Sequence, residues 1–288
     1  MPDSPTDIAT FPPLGAPVRL DDGRGATVVR IDADLTRRCR LETGEVVCVS
    51  PHTLRLQRGE RTVLDGAIAL RVVAGSRAQG LASDDSDTDR RGVWMSPSSW
   101  WAHLAEPPEQ LEDDPGQLVL WEIRKFLRLV AAGNPTTVET LFSPIVETAN
   151  EIGHELLARR ESFLARSTVD RFIEYGRAQL REVVARAKND AADATRWRKQ
   201  ASHAIRIVMQ ACEIAERRTL SVALSSSDVA SLQSVRAGGV SLDDVVAHCT
   251  RLIDAADRAR SVSSLPERVD ESALSDILLR ARRATMSA

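Results

Sequence analysis

The chain has 288 residues and a formal net charge of −3, enough length for two or three domains with a sizeable core. The slight negative balance argues against a protein that coats nucleic acid constitutively, while leaving room for a local basic cleft. Cys39, Cys48, Cys212 and Cys249 lie far apart with no CxxC spacing and read as reduced thiols packed as small hydrophobes. With no charged-then-apolar leader and no apolar run of membrane-spanning length, a soluble, cytoplasmic protein is expected.

Residues 1–15 are rich in Pro, Asp and Ser and are expected to form a flexible leader. From residue 16 the pattern changes to short, partly alternating runs at 18–20, 26–31, 39–41, 46–49 and 53–56. Asp22-Gly23 and Glu42-Thr43-Gly44-Glu45 punctuate them as hairpin turns. Five short strands with tight turns predict a small SH3-like β-barrel over 16–60. Arg37, Arg38, Arg40 and Arg55 suggest RNA or partner binding, but Asp21, Asp22, Asp32 and Asp34 nearly balance them. The favoured reading is an accessory module packed on the core.

The stretch from 70 to 97, LRVVAGSRAQGLASDDSDTDRRGVWMSP, carries the chemistry. An apolar strand over 68–74 runs into the Gly75-Ser76 turn, which aims backbone N–H groups and a hydroxyl at one point, as a phosphate requires. A short amphipathic segment and a polar turn lead to a second strand at about 88–95. Asp87 and Asp89 stand two apart at its mouth, a spacing that sends both carboxylates to one face of a strand. Paired carboxylates repel unless a cation lies between them, and hard oxygens suit Mg²⁺ or Mn²⁺. Phosphates, paired acids and a divalent metal are the ingredients of phosphoryl or nucleotidyl transfer.

Gly75-Ser76 followed by Asp87-Thr88-Asp89 resembles the Gly-Ser…Asp-x-Asp signature of the DNA polymerase beta superfamily of nucleotidyltransferases. The longer string GSRAQGLASDDSDTDRRGV is similar to its bacterial and phage RNA-repair-pathway branch. The resemblance implies that Asp87 and Asp89 hold the metal and act in catalysis. It also implies that Gly75, Ser76 and Arg77 face the nucleotide. Arg90 departs from the pattern, since the family usually has an apolar residue there.

Residues 98–116 form a loop-rich excursion whose Trp100-Trp101 pair is read as covering the core rather than stacking a base. A third core strand over 117–121 and a helix over 122–132, stopped by Gly133-Asn134-Pro135, are similar to the family's next block. A second short helix starts after Asn134 with Pro135 in its first turn. Glu122 and Lys125, three apart on the first helix, are expected to pair. In catalytic relatives a third carboxylate sits on this strand, and by register it falls at Gln117, an amide without charge. Three explanations stay open: a neighbouring acid (Asp113, Asp114 or Glu122) serves instead; two acids plus the nucleotide's phosphates suffice; or the site binds without turning over.

From residue 145 the chain reads as helical to its end. A helix over 161–184 puts Val169, Phe172, Ile173, Leu180, Val183 and Val184 at helical spacing and carries Tyr175, the protein's one tyrosine. In the next helix, 196–217, Ala201, Ile205, Val208 and Cys212 form an apolar stripe. Lys199, His203, Arg206 and Gln210 repeat that spacing on nearly the opposite face. Lysine occurs only at 125, 188 and 199, so its use at 199 stands out. The family's Lys-x-x-x-His-x-x-Arg helix implies that Lys199, His203 and Arg206 hold the triphosphate or the acceptor. Further helices follow near 228–236, 242–260 and 271–283, the middle one capped by Ser241.

The expected fold is α+β, with the leader (1–15), the SH3-like β-barrel module (16–60), a minimal mixed-sheet nucleotidyltransferase core (61–145) and a C-terminal helical domain (146–288). The resemblance implies Mg²⁺-dependent transfer of an NMP from an NTP to an acceptor hydroxyl, the acceptor being RNA or tRNA by the family label. The alternative is a catalytically impaired nucleotide or RNA sensor, because the third-acid position is Gln117.

Overall fold

The structure is a computed structural model that describes residues 17–32, 36–41, 43–50, 55–56, 67–84, 86–96, 98, 101, 109–112, 117–189 and 194–286. The expected leader, Trp100, Asp113 and Asp114 lie outside the described residues. Strands β1 (Pro17–Arg19), β2 (Gly25–Ile31), β3 (Arg37–Leu41), β4 (Val46–Val49) and β5 (Arg55–Leu56) pair antiparallel in the order β4-β3-β2-β1-β5. The hairpin turns fall at Gly23 and Gly44, as their sequence demands. Among the described residues no pairing joins β4 to β5, so the sheet is open and no barrel closes. The physical reason lies in its apolar face. Val18, Val28 and Cys39 are buried in one cluster with Ile68, Trp94 and Leu120 of the second sheet, so the face is covered by the core rather than curled on itself.

The second sheet comprises β6 (Ile68–Val73), β7 (Arg90–Trp94), β8 (Gln110–Glu112), β9 (Leu118–Glu122) and β10 (Val146–Ala149), ordered β10-β6-β7-β9-β8. Only β7 and β9 run parallel, which makes the expected mixed sheet. β6 is apolar on both faces because both are covered, five of its six residues being buried. Arg71 and Arg90 both reach Glu147 on the edge strand β10, each through a 2.9 Å Nε contact. This ion-paired use explains a charged residue at position 90. β10 corrects the expectation of unbroken helix after residue 145: four largely exposed residues at a sheet edge carry no apolar alternation to betray them.

The helices are α1 (Gly75–Gln79), α2 (Ile123–Ala131), α3 (Pro135–Phe142), α4 (Glu151–Ala158), α5 (Arg166–Asn189), α6 (Ala194–Arg217), α7 (Ser226–Ala237), α8 (Leu242–Val262) and α9 (Glu271–Ala284). Asn134, Asn150, Ser225, Ser241 and Asp270 cap their helices through side-chain oxygens, the expected one at Ser241 included. α5 and α6 pack closely: a Cβ on Gly176 would lie 2.3 Å from Val208 Cγ2, so only glycine admits this approach. One continuous apolar cluster joins the second sheet to the helices, with Leu70, Phe126, Phe172, Val208 and Ile277 among its members. Among the described residues no helix is long and apolar enough to cross a membrane.

The last helix is latched to the sheet. Arg282 Nη1 meets Glu122 Oε1 at 2.8 Å, and Glu122 is only 1% exposed. Ser96 Oγ also donates to Glu122, and Trp101 Nε1 donates to Ser96 Oγ at 2.8 Å. The Trp101 ring lies under the Arg282 guanidinium, 4.4 Å from its centroid, so it covers this cluster, as its expected role required. The expected Glu122–Lys125 pair is not formed. Glu122 turns back to cap α2 at Arg124 N, while Lys125 donates to Gln110 on β8. Removing one partner of a buried ion pair leaves the other uncompensated. Arg282→Met should therefore cost roughly 3–5 kcal/mol in urea unfolding. Part of that loss should return in the Glu122→Gln/Arg282→Met double variant.

Candidate functional site

The turn after β6 is fixed by backbone geometry. Ala74 N donates to Asp89 O at 2.8 Å, and Ser143 Oγ donates to Val73 O at 2.6 Å. Gly75 then takes φ +63°, which costs a side-chain-bearing residue roughly 1–2 kcal/mol. A Cβ there would also stand 2.2 Å from Asp89 Oδ2. Gly75 is thus required twice, for its backbone angle and to let the Asp89 carboxylate lie against its Cα. Ser76 follows in α1, its carbonyl accepting from Leu81 N.

A pocket of about 300 Å³ opens at this turn. Gly75, Ser76, Gln79 and Asp89 line one part, joined by Arg91. Thr136, Glu139 and Thr140 of α3, Lys199, His203 and Arg206 of α6, and Arg236 of α7 line the rest. Six of the sequence-predicted residues, spread from 75 to 206, therefore meet at one cavity. Arg77 and Asp87 do not line it. Arg77 is exposed and donates to Ser86 O at 2.6 Å, tying the acidic loop back to α1. Asp87 is exposed in that loop, because β7 begins at Arg90 and not at 88. Asp87 and Asp89 thus lie in the loop just before β7, and of the two only Asp89 lines the pocket.

Gln117 immediately precedes β9. β7 and β9 pair Arg90 with Leu118, and Arg90 N donates to Gln117 O, so position 117 continues the parallel ladder beside Asp89. Glu122 is excluded as a substitute acid: it lies at the other end of β9, buried and committed to Arg282. Among the described residues no three His, Cys, Asp or Glu side chains group as a metal site.

The helical wall is a hydrogen-bonded network. Arg206, 2% exposed, forms an ion pair with Glu139 and donates to Gln210 Oε1 at 3.2 Å. Its Nη2 stands 3.0 Å from His203 Nδ1, and a guanidinium can only donate. His203 is therefore neutral, with Nδ1 accepting and its hydrogen on Nε2, which faces Tyr175 Oη at 3.4 Å. Burial, and then the charge of Arg206, push the imidazole down to about 4. Burial likewise raises the Tyr175 phenol. Lys199 is exposed at the rim with no carboxylate partner among the described residues. α6 thus differs from its expected two-faced pattern. Arg206 and Gln210 are buried, Arg206 paired with Glu139 of α3 and Gln210 bonded to Arg206 and to Ser221 O, and only Lys199 of the polar stripe is fully exposed.

Several residues of the lining had no separate signal in the sequence, among them Gln79, Arg91, Thr136, Glu139, Thr140 and Arg236. Arg91 sits 3.8 Å from Asp89 Oδ1, and Arg236 donates through Nε to Ser202 Oγ at 3.2 Å. Glu139 falls within the Gly-Asn-Pro block already similar to the family, which was the one available clue.

A mixed sheet bearing a Gly-Ser turn against an acidic loop, walled by a cationic helix, is the architecture of a nucleotidyltransferase-type core. The chain belongs to the RNA repair pathway DNA polymerase beta family (RlaP), whose model matches residues 52–251. This is a polymerase-beta-like nucleotidyltransferase family. Over 120 residues the chain is 32% identical to the uncharacterized protein YcgL of Bacillus subtilis strain 168, covering 40% of this chain and 46% of that protein. The chain thus spans about half the length of this relative. No solved structure matches.

Two expectations follow. Gly75→Ala should destabilise the fold by at least roughly 1–2 kcal/mol, read by thermal unfolding, because it adds a strained φ to a carboxylate clash. His203 should make stability pH-dependent. Its folded value, about 4, lies below the ordinary 6.5, so the unfolded chain binds the extra proton. The neutral network's contribution is complete above pH 6.5 and is lost as pH falls toward 4. Urea midpoints across that window should slope less steeply in His203→Gln.

Proposed function

We propose that the protein is a nucleotidyltransferase that moves an NMP from an NTP to an acceptor hydroxyl and releases pyrophosphate. The observation that carries this is the convergence on one pocket of Gly75, Ser76 and Asp89 with Lys199, His203 and Arg206. In this reading Gly75 and Ser76 receive phosphate oxygens through backbone N–H groups and a hydroxyl. Lys199 and Arg206 meet the charge that develops on the leaving pyrophosphate. The acceptor oxygen bonds to the α-phosphorus as the bond to the β-phosphate oxygen breaks, and the hydroxyl proton passes to Asp89 or to solvent. His203 orients Arg206 and is not an acid or base, since its Nδ1 is already occupied.

The donor set fits a hard cation in part. Asp87 and Asp89 supply carboxylate oxygens from one loop, and the remaining oxygens of a Mg²⁺ or Mn²⁺ shell would come from the nucleotide. When bound, such an ion neutralises the phosphates and lowers the pKa of the acceptor hydroxyl. The family description, an RNA repair pathway, favours RNA as the acceptor, and a tRNA acceptor and a cytoplasmic location are part of the same proposal. The division at 16–60, 61–145 and 146–288, with the first unit an SH3-like accessory module, belongs to the same proposal.

One observation favours a second reading. An amide, not an acid, continues the ladder beside Asp89, as in a sensor that binds nucleotide or RNA without turnover. Transfer of label from a radiolabelled NTP to total RNA, beside calorimetry with Mg-NTP, separates the two. Asp89→Ala should abolish transfer, and undiminished labelling in that variant would remove the assignment. Binding without transfer that Gln117→Asp fails to rescue would establish the sensor.

A further inference from the structure

The cationic wall holds more positive charge than its own carboxylates match. Arg91, Lys199, Arg206 and Arg236 line the pocket against Asp89 and Glu139. Asp89 lies beside Arg91, and Glu139 is taken by Arg206. Arg236 and Lys199 are left with no carboxylate partner among the described residues. Arg236 is half-buried on α7, and its one hydrogen bond among the described residues runs through Nε to Ser202, which leaves both Nη groups for the cavity. It stands close enough to Arg206 for each charge to act on the other and on His203. Clustering two guanidiniums, one buried and one half-buried, is costly unless an anion compensates them.

We propose that Arg236, with Lys199, forms a second phosphate subsite on a different wall from Gly75-Ser76, so that the pocket takes a polyphosphate chain rather than a single phosphate. This rests on the nucleotidyltransferase reading and extends it to a residue of α7, outside the Gly-Ser and acidic-loop stretch. Two separated phosphate-binding walls accommodate a chain of linked phosphates, whereas orthophosphate can engage only one at a time. Arg236 suits the task because its planar fork, once held through Nε, presents two parallel donors.

The test is metal-free calorimetry with sodium tripolyphosphate and with orthophosphate. The wild type should bind tripolyphosphate at least about tenfold more tightly, and Arg236→Ala should bring the ratio near unity, as loss of a charge-assisted contact requires. Arg236→Lys, which keeps the charge without the fork, should fall between. If Arg236→Ala does not fold, Arg236→Lys and Arg236→Gln carry the comparison, with thermal unfolding as the check. An unchanged ratio in a folded variant overturns the subsite. NTP transfer separates the two readings: tripolyphosphate selectivity without transfer removes the nucleotidyltransferase reading and leaves the subsite. Transfer with selectivity indifferent to Arg236 does the reverse.

Discussion

The contact between Gly75 and Asp89 governs the arrangement of the site. A carboxylate oxygen occupies the space that any other residue's Cβ would fill at position 75, so the phosphate turn and the acidic loop cannot be positioned independently. The Ala74 N to Asp89 O bond joins the same two segments through the backbone, and Arg77 draws the loop in at Ser86. These contacts tie the turn to the acidic loop at both ends, the kind of mutual support a preorganised site needs. Because β7 starts directly after Asp89, the rigidity of the sheet passes to the carboxylate.

The polar face of the opposite wall is held by electrostatics, on a helix whose apolar face is closely packed. Glu139 keeps Arg206 in a buried position, and Arg206 in turn fixes the tautomer of His203. A neutral imidazole between Arg206 and Tyr175 adds no charge of its own to a cavity that Arg91, Lys199, Arg206 and Arg236 already line. Burial of these groups lowers the local dielectric, so each anion reaching the wall meets a stronger field than it would at an exposed arginine patch.

What the sequence reveals depends on how locally each feature is encoded. Gly75-Ser76 and Asp89 are legible because the turn and the acid lie on consecutive segments. Lys199, His203 and Arg206 are legible as a row because helical spacing alone aligns them. Which side of that helix faces inward was not legible, since it depends on distant partners, Glu139 for Arg206 and Ser221 for Gln210. Arg236 carries no pattern of its own and reaches the site only through the packing of α7 on α6. Asp87 is less legible: period-two spacing has force only inside a strand, and β7 starts at Arg90. The open N-terminal sheet follows the same logic, because its five strands are local but the surface that covers them is not. Gln117 sits beside Asp89 in the parallel ladder, a neighbourhood that only strand pairing reveals.

The latch between Arg282 and Glu122 has a consequence for how the chain is made. Glu122 is buried at the end of β9 in the core sheet, while its counter-charge comes 160 positions later. During synthesis the sheet emerges with that carboxylate uncompensated, and a buried lone charge opposes closure of the core. Domains tend to fold from the N-terminal end as they leave the ribosome, but here the decisive pairing is among the most distant in sequence. Closure of the core around the end of β9 therefore depends on a pairing that is long-range in sequence, a kind of contact that forms late and slowly.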